Sequence, residues 1–220
     1  MSDPSLKCGS RIGPSRPWED RVISMCNSQA VAYSALEAMP TGWVGEILDE
    51  ELVASPRPSD IQARAAFMLG VELGEQLAPR RGGAGRWCFL RAPELRLGRD
   101  VLVPDLAGWR AERLAEAALP EEPFLRLAPD WVCEVLGPGS VALDRTRKLP
   151  IYARAGVSQV WLVDPAARTL ECFQRVKRGW LLVSTHEGEA IVRAEPFSGL
   201  ALELSALWWP PAEPVLELVR

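Results

Sequence analysis

The chain has 220 residues, 48% of them hydrophobic and 25% charged, with a formal net charge of −4. That length and apolar content suffice for one sizeable core and exclude a disordered chain, and no run is long enough to span a bilayer as a helix. The acidic balance excludes a global pull toward nucleic acid. Any such binding has to rest on local basic clusters, Arg80, Arg81, Arg86 and Arg91 or Arg145, Arg147, Lys148 and Arg154, together with ions that neutralise phosphate.

In chain order, residues 1–30 are rich in Ser, Pro, Gly and Arg without an apolar period and read as a poorly ordered leader. Residues 31–210 read as one domain and 211–220 as a C-terminal tail. Tyr33 to Met39 predicts a helical turn stopped by Pro40. The alternation in WVGEILDEELVAS (43–55) predicts a β-hairpin, although its turn, Asp49-Glu50, lacks the glycine that such turns favour. Ser59 or Asp60 caps a helix over about 60–78, with Ile61, Ala65, Met68, Leu69, Leu73 and Leu77 at helical spacing. A basic loop follows Pro79. Strands are predicted at 86–92, 94–98 and 101–109, then a helix or lid-like loop over 110–130, and a strand at 131–136 closed by Gly-Pro-Gly. Residues 141–155 read as a helix ending at Gly156 and kinked where Pro150 removes the bond to residue 146. A buried strand at 159–165 precedes four segments that alternate in the β manner, TLECFQRV, GWLLVST, AIVRAEPF and ALELSAL.

Two acids stand out because they lie in apolar, β-branched runs: Asp105 in VLVPDLAGW and Glu134 in WVCEVL. A carboxylate buried in a strand has to be paired, hydrogen-bonded or bound to metal. Structural readings are available for each: Asp105 as a cap after Pro104, and Glu134 as a buried partner of Arg145 or Lys148. Asp144 and Lys148 stand four apart, the spacing of a surface ion pair on a helix.

Other constellations are weaker. The five cysteines are widely spaced, with no CxxC or CxxxH, so a zinc site is not expected; Cys88, Cys133 and Cys172 sit in apolar runs and read as small core residues, in a reducing, cytoplasmic setting. The N-terminus lacks the basic-then-apolar order of a secretion signal. The lone His186, in an apparent turn STHEG, has no GxSxG elbow to accompany it. The nine tryptophans read as core, with Trp109 and Trp208-Trp209 as candidates for a homodimer face or a nucleic-acid groove.

The wording VGEILDEELVASPRPS (44–59), ELRLGRDVLVPDLAGWR (94–110), APDWVCEVLGPGS (128–140), LDRTRKLPIYARAGVSQVWLVDP (143–165) and the stretch EPFSGLALELSALW resembles the Uma-two family of restriction-endonuclease-like proteins, within the PD-(D/E)xK nuclease superfamily. The resemblance covers roughly residues 40–208. It implies an α/β fold: a restriction-endonuclease-like mixed sheet flanked by helices, with an N-terminal β-hairpin and a β-rich C-terminal extension. It also implies a DNA endonuclease in which Asp105 and Glu134, with the carbonyl of Val135, hold Mg²⁺ or Mn²⁺, oxygen donors suited to a hard cation.

This chain departs from the pattern at Leu136, where the superfamily places its lysine. Lys148 is the substitute, expected to turn toward Glu134 and Asp105 and not outward to Asp144. Glu46 matches the family's early glutamate and would assist from the hairpin. Glu50, Asp60, Gly137 and Gly139 also depart from the family's usual residues. These departures motivate a rival from another class: a catalytically degenerate nuclease-fold protein acting as a binding or assembly module.

Overall fold

The computed structural model describes residues 23–25, 33–77, 87–116 and 124–210. Most of the predicted leader, the basic loop with Arg80, Arg81 and Arg86, part of the 110–130 segment and the tail from 211 lie outside these residues.

The N-terminal half begins with β1 (Ile23–Met25) and a single turn, α1 (Ser34–Glu37). Next comes the predicted hairpin, β2 (Trp43–Leu48) and β3 (Glu51–Pro56), whose register pairs Leu48 with Glu51 and leaves Asp49-Glu50 as a two-residue turn. Both turn residues are left-handed, with φ of 51° and 68°, the conformation that such turns impose and that normally selects glycine or asparagine. The Asp49 backbone N–H donates to Asp100 at 2.7 Å, and Arg154 donates to Asp49 at 2.6 Å. These contacts hold a turn that its sequence disfavours.

Helix α2 (Asp60–Leu77) buries Ala65, Ala66, Leu69 and Leu73, which recur at helical spacing. Ile61, placed by the sequence on that face, is instead exposed in the first turn. Beyond it lie β4 (Trp87–Arg91), β5 (Leu95–Leu97), β6 (Asp100–Leu102) and β7 (Leu106–Arg110). The continuous strand expected at 101–109 is therefore two strands in different sheets. Pro104 has no N–H to give a ladder, and its neighbours bond elsewhere: the Val103 N–H donates to Glu46 at 2.8 Å and the Val135 N–H to the Asp105 carboxylate at 2.7 Å. Asp105 thus sits at the crossing between sheets and not inside a strand.

After α3 (Ala111–Glu116) come β8 (Trp131–Val135), α4 (Val141–Leu143), a π-helical turn (Asp144–Lys148), α5 (Leu149–Ala155) and β9 (Gln159–Asp164). The predicted kink is this π turn. Pro150 cannot donate to residue 146, and a widened turn just before it absorbs the clash. Gly156, left-handed at φ 93°, ends the helix as expected. β10 (Thr169–Val176) and β11 (Gly179–Glu187) form a hairpin. His186 lies within β11 and not in a turn, its ring beside the Ser184 hydroxyl at 3.0 Å. The last two alternating segments contribute only β12 (Ile191–Val192), β13 (Leu202–Glu203) and a 3₁₀ turn at Leu204–Leu207. Between them, tight turns at Phe197 and Leu200 fold the chain onto α2.

Among the described residues, one sheet runs β1-β3-β2-β6-β5 and a second runs β11-β10-β9-β8-β7-β4, with β12-β13 as a small third. In the second sheet only β8 and β9 are parallel, and the α4–π–α5 segment makes the crossover that such a pair needs. One face of this sheet packs Trp87, Trp131, Trp161 and Phe197 with α2. The other packs Trp109, Val132 and Leu162 against Tyr152 and Ile151 of α5 and residues of the first sheet. Trp109 and Trp208 are therefore core residues and not members of an exposed face, whereas Trp209 is half exposed. Among the described residues no helix is long and apolar enough to cross a membrane.

Candidate active site

Strand alternation decides which acids meet. In β8, Trp131, Cys133 and Val135 pack toward α2, so Glu134 shares the opposite face with Val132. The β7–β8 register pairs Leu106 with Cys133, and one step further sets Asp105 against Glu134. In β2, Glu46 shares the face of Leu48, which packs in the same core as Val132. Two sheets thereby direct three carboxylates to one place.

Lys148 completes the cluster. Its Nζ lies 3.0 Å from Glu46 Oε1, 3.3 Å from each Glu134 oxygen and 3.5 Å from Asp144 Oδ1. The lysine therefore turns inward as expected, but Asp144 turns inward with it. The pair anticipated as a surface contact is buried, at 3% and 5% exposure, because the π turn carries both residues into the sheet-facing side. Lys148 makes no ion pair with Asp105 among the described residues. The Tyr152 hydroxyl donates to Glu134 at 2.5 Å. Leu136, at the position of the superfamily's lysine, is buried in the core.

Four carboxylates face one ammonium, and the proton affinities reflect that excess. Burial pushes Glu46 above the usual carboxylate range against the pull of Lys148, and pushes Glu134 well above it, with Asp144, Asp105 and Glu46 adding to the shift. Asp105 is raised to about 6, chiefly by burial, with the Val135 N–H and Lys148 opposing. Burial alone would lower Lys148, but the surrounding carboxylates outweigh it and hold its pKa well above the ordinary lysine value. Tyr152 is likewise raised, by burial and by Glu134, and stays a protonated donor.

All five charged groups line an open cleft of about 360 Å³ whose walls also carry Val135, Gly137 and Gln62. Gln62 is a member that sequence reasoning does not identify. Its Nε2 donates to the Val135 carbonyl at 3.0 Å, and a Cβ on Gly137 would sit 2.6–2.8 Å from its amide. The absence of a side chain at Gly137 leaves room for this amide, and a Cβ there would oblige the flexible Gln62 side chain to shift. Nothing in the helical period marks Gln62, and Tyr152 reads as ordinary core.

The chemistry of this donor set suits a hard divalent cation. An uncompensated excess of buried carboxylates is stabilised by added positive charge, and the donors are oxygens. Among the described residues no three His, Cys, Asp or Glu side chains converge as a ready metal cluster. The fit is to an ion such as Mg²⁺, which keeps several waters and takes only one or two carboxylates from the protein. Asp105, with one oxygen committed to the Val135 amide, and Glu134 are the acids that could hold such an ion, and the Val135 carbonyl lines the same cleft.

Comparison with known proteins agrees with this architecture. A solved structure described as a putative nuclease belonging to DUF820, from Anabaena variabilis, superposes with a TM-score of 0.63 at 18% identity, covering 79% of this chain and 94% of that one. That likeness shows a shared fold. No curated protein matches. The sequence model of the Uma-two family (Uma2), described as "Putative restriction endonuclease", matches residues 31–205. With most of its length inside that match, this chain belongs to the Uma-two family.

Proposed function

We propose that this chain is a metal-dependent DNA endonuclease that hydrolyses phosphodiester bonds. The observation that carries the reading is the convergence of Glu46, Asp105, Glu134, Asp144 and Lys148 on one open cleft. Family membership and the nuclease-like fold support the reaction class. Asp105, Glu134 and the Val135 carbonyl would hold Mg²⁺ or Mn²⁺, with Glu46 contributing negative charge from the hairpin. Such an ion supplies charge neutralisation at the phosphate and acidifies water for attack. Lys148, kept protonated by its carboxylate neighbours, presents positive charge where negative charge builds on the phosphate. Tyr152 fixes the Glu134 carboxylate by its hydrogen bond, and Gln62 fixes the direction of the Val135 carbonyl.

The decisive experiment is cleavage of plasmid and single-stranded DNA with and without Mg²⁺ or Mn²⁺, with Asp105→Ala alongside. Metal-dependent cleavage lost in the variant supports the reading; no cleavage under any condition rejects it. One observation favours the rival, a degenerate nuclease-fold module: Lys148 is already engaged by three carboxylates, while Leu136 leaves the usual lysine position apolar. That reading gains if DNA is bound but not cut.

A further inference from the structure

An acidic cleft repels the anion that a nuclease has to admit, so the arginines with uncommitted charge matter most. Most guanidinium groups near the site are tied down. Arg64 donates to the Trp208 carbonyl, Arg145 pairs with Glu171, Arg147 with Glu51, and Arg154 with Asp49 and Asp100. Arg57 and Arg91 differ. Both are exposed, both line the cleft, and neither has an ion pair or side-chain hydrogen bond among the described residues.

Their places in the fold are complementary. Arg57 follows the end of β3, in the first sheet, where its backbone N–H donates to Gly42 and fixes the chain. Arg91 ends β4, in the second sheet, paired with Leu106 and so one residue from Asp105. Each sheet thus contributes to the rim of a cleft whose floor holds the carboxylates one guanidinium without a side-chain partner among the described residues, and Lys148 is already occupied. A guanidinium is the group suited to bidentate contact with phosphate oxygens.

We infer that Arg57 and Arg91 are a phosphate clamp: they bind the backbone of the nucleic-acid strand on either side of the bond presented to the carboxylates. This rests on the nuclease reading and adds to it the residues that admit the substrate. The clamp makes no base contacts, so it contributes affinity without sequence preference.

The test is binding of a labelled DNA duplex by fluorescence anisotropy, with Ca²⁺ in place of Mg²⁺, across a series of KCl concentrations. Arg57→Ala and Arg91→Ala should each weaken binding and reduce the slope of log K against log salt by about one, and the double variant by about two. Arg57→Lys and Arg91→Lys should keep the slope, because the charge is kept. The Mn²⁺-induced rise in melting temperature should be unchanged in all of them, which separates loss of the clamp from damage to the carboxylate site. Slopes unaltered in both alanine variants overturn the clamp while leaving the nuclease reading intact. A wild-type protein that binds no DNA overturns both.

Discussion

Lys148 is the residue on which the site depends most. It neutralises Glu46, Glu134 and Asp144 together, so replacing it strands three buried carboxylates. Breaking a buried ion pair from one side costs about 3–5 kcal/mol. Lys148→Met should therefore lower the melting temperature of the metal-free protein sharply, regain part of that loss at lower pH or with Mn²⁺, and lose on the order of 10²-fold or more in cleavage. A Met variant with unchanged melting and cleavage would reject this role. Asp105→Asn should behave in the opposite way. An asparagine oxygen can still accept the Val135 N–H, so apo stability should hold or rise while stabilisation by Mg²⁺ disappears, as thermal melts with and without the ion would show.

The same residue gives a pH signature. Its pKa is raised in the folded chain from 3.8 to about 6, so folding favours the protonated form. That contribution, on the order of 1–3 kcal/mol, is complete below about pH 4 and is lost as pH rises through 6. With chelator present, melting temperature should fall between pH 4 and pH 6.5, and less steeply in Asp105→Asn. Asp105 and Glu134 are legible in the sequence because acids in apolar runs have few places to go, whereas Glu46 is marked only by its match to the family's early glutamate. Asp144 is not legible, since its spacing from Lys148 matches any surface pair and only the π turn reveals otherwise. Gln62 and Tyr152 act through backbone and carboxylate contacts that leave no periodic trace.

At the scale of elements, the hairpin and α2 follow from alternation and helical spacing, and the β8–β9 crossover from the order of strand, helix and strand. The break at Val103-Pro104-Asp105 is harder to read. An apolar run with one proline looks like an edge strand until one knows that its amides bond to side chains from elsewhere. The C-terminal segments mislead for a related reason: AIVRAEPF alternates, yet Pro196 and the turns around Phe197 let its apolar residues pack on α2 with almost no ladder. The Asp49-Glu50 turn offers a direct test. A left-handed non-glycine residue costs about 1–2 kcal/mol, and the exposed Arg99–Glu50 pair at 3.1 Å returns little. Glu50→Gly should stabilise the protein by about 0.5–1 kcal/mol in urea unfolding, with an unchanged m-value. Destabilisation would mean that the arginines around the turn depend on that carboxylate.

For the whole molecule, the relevant fact is that neither sheet holds the carboxylate cluster by itself. Glu46 comes from the first, Glu134 from the second, Asp105 from the crossing between them, and Lys148 from the crossover segment that packs beside both. An ion that binds only this assembled arrangement should stabilise it by mass action, about 2.7 kcal/mol at a hundredfold excess over its Kd. Calorimetric scans at increasing Mn²⁺ should therefore raise the temperature of one cooperative transition for both sheets; two separate transitions, of which only one moves, would argue against that coupling. The chain crossing at Pro104 then carries a consequence for assembly. A nascent or partly opened molecule has its acids scattered over pieces that have not docked, so it cannot assemble the carboxylate–lysine cluster before folding is complete. Completion of the fold and completion of the cleft become one event, and a damaged copy loses both together.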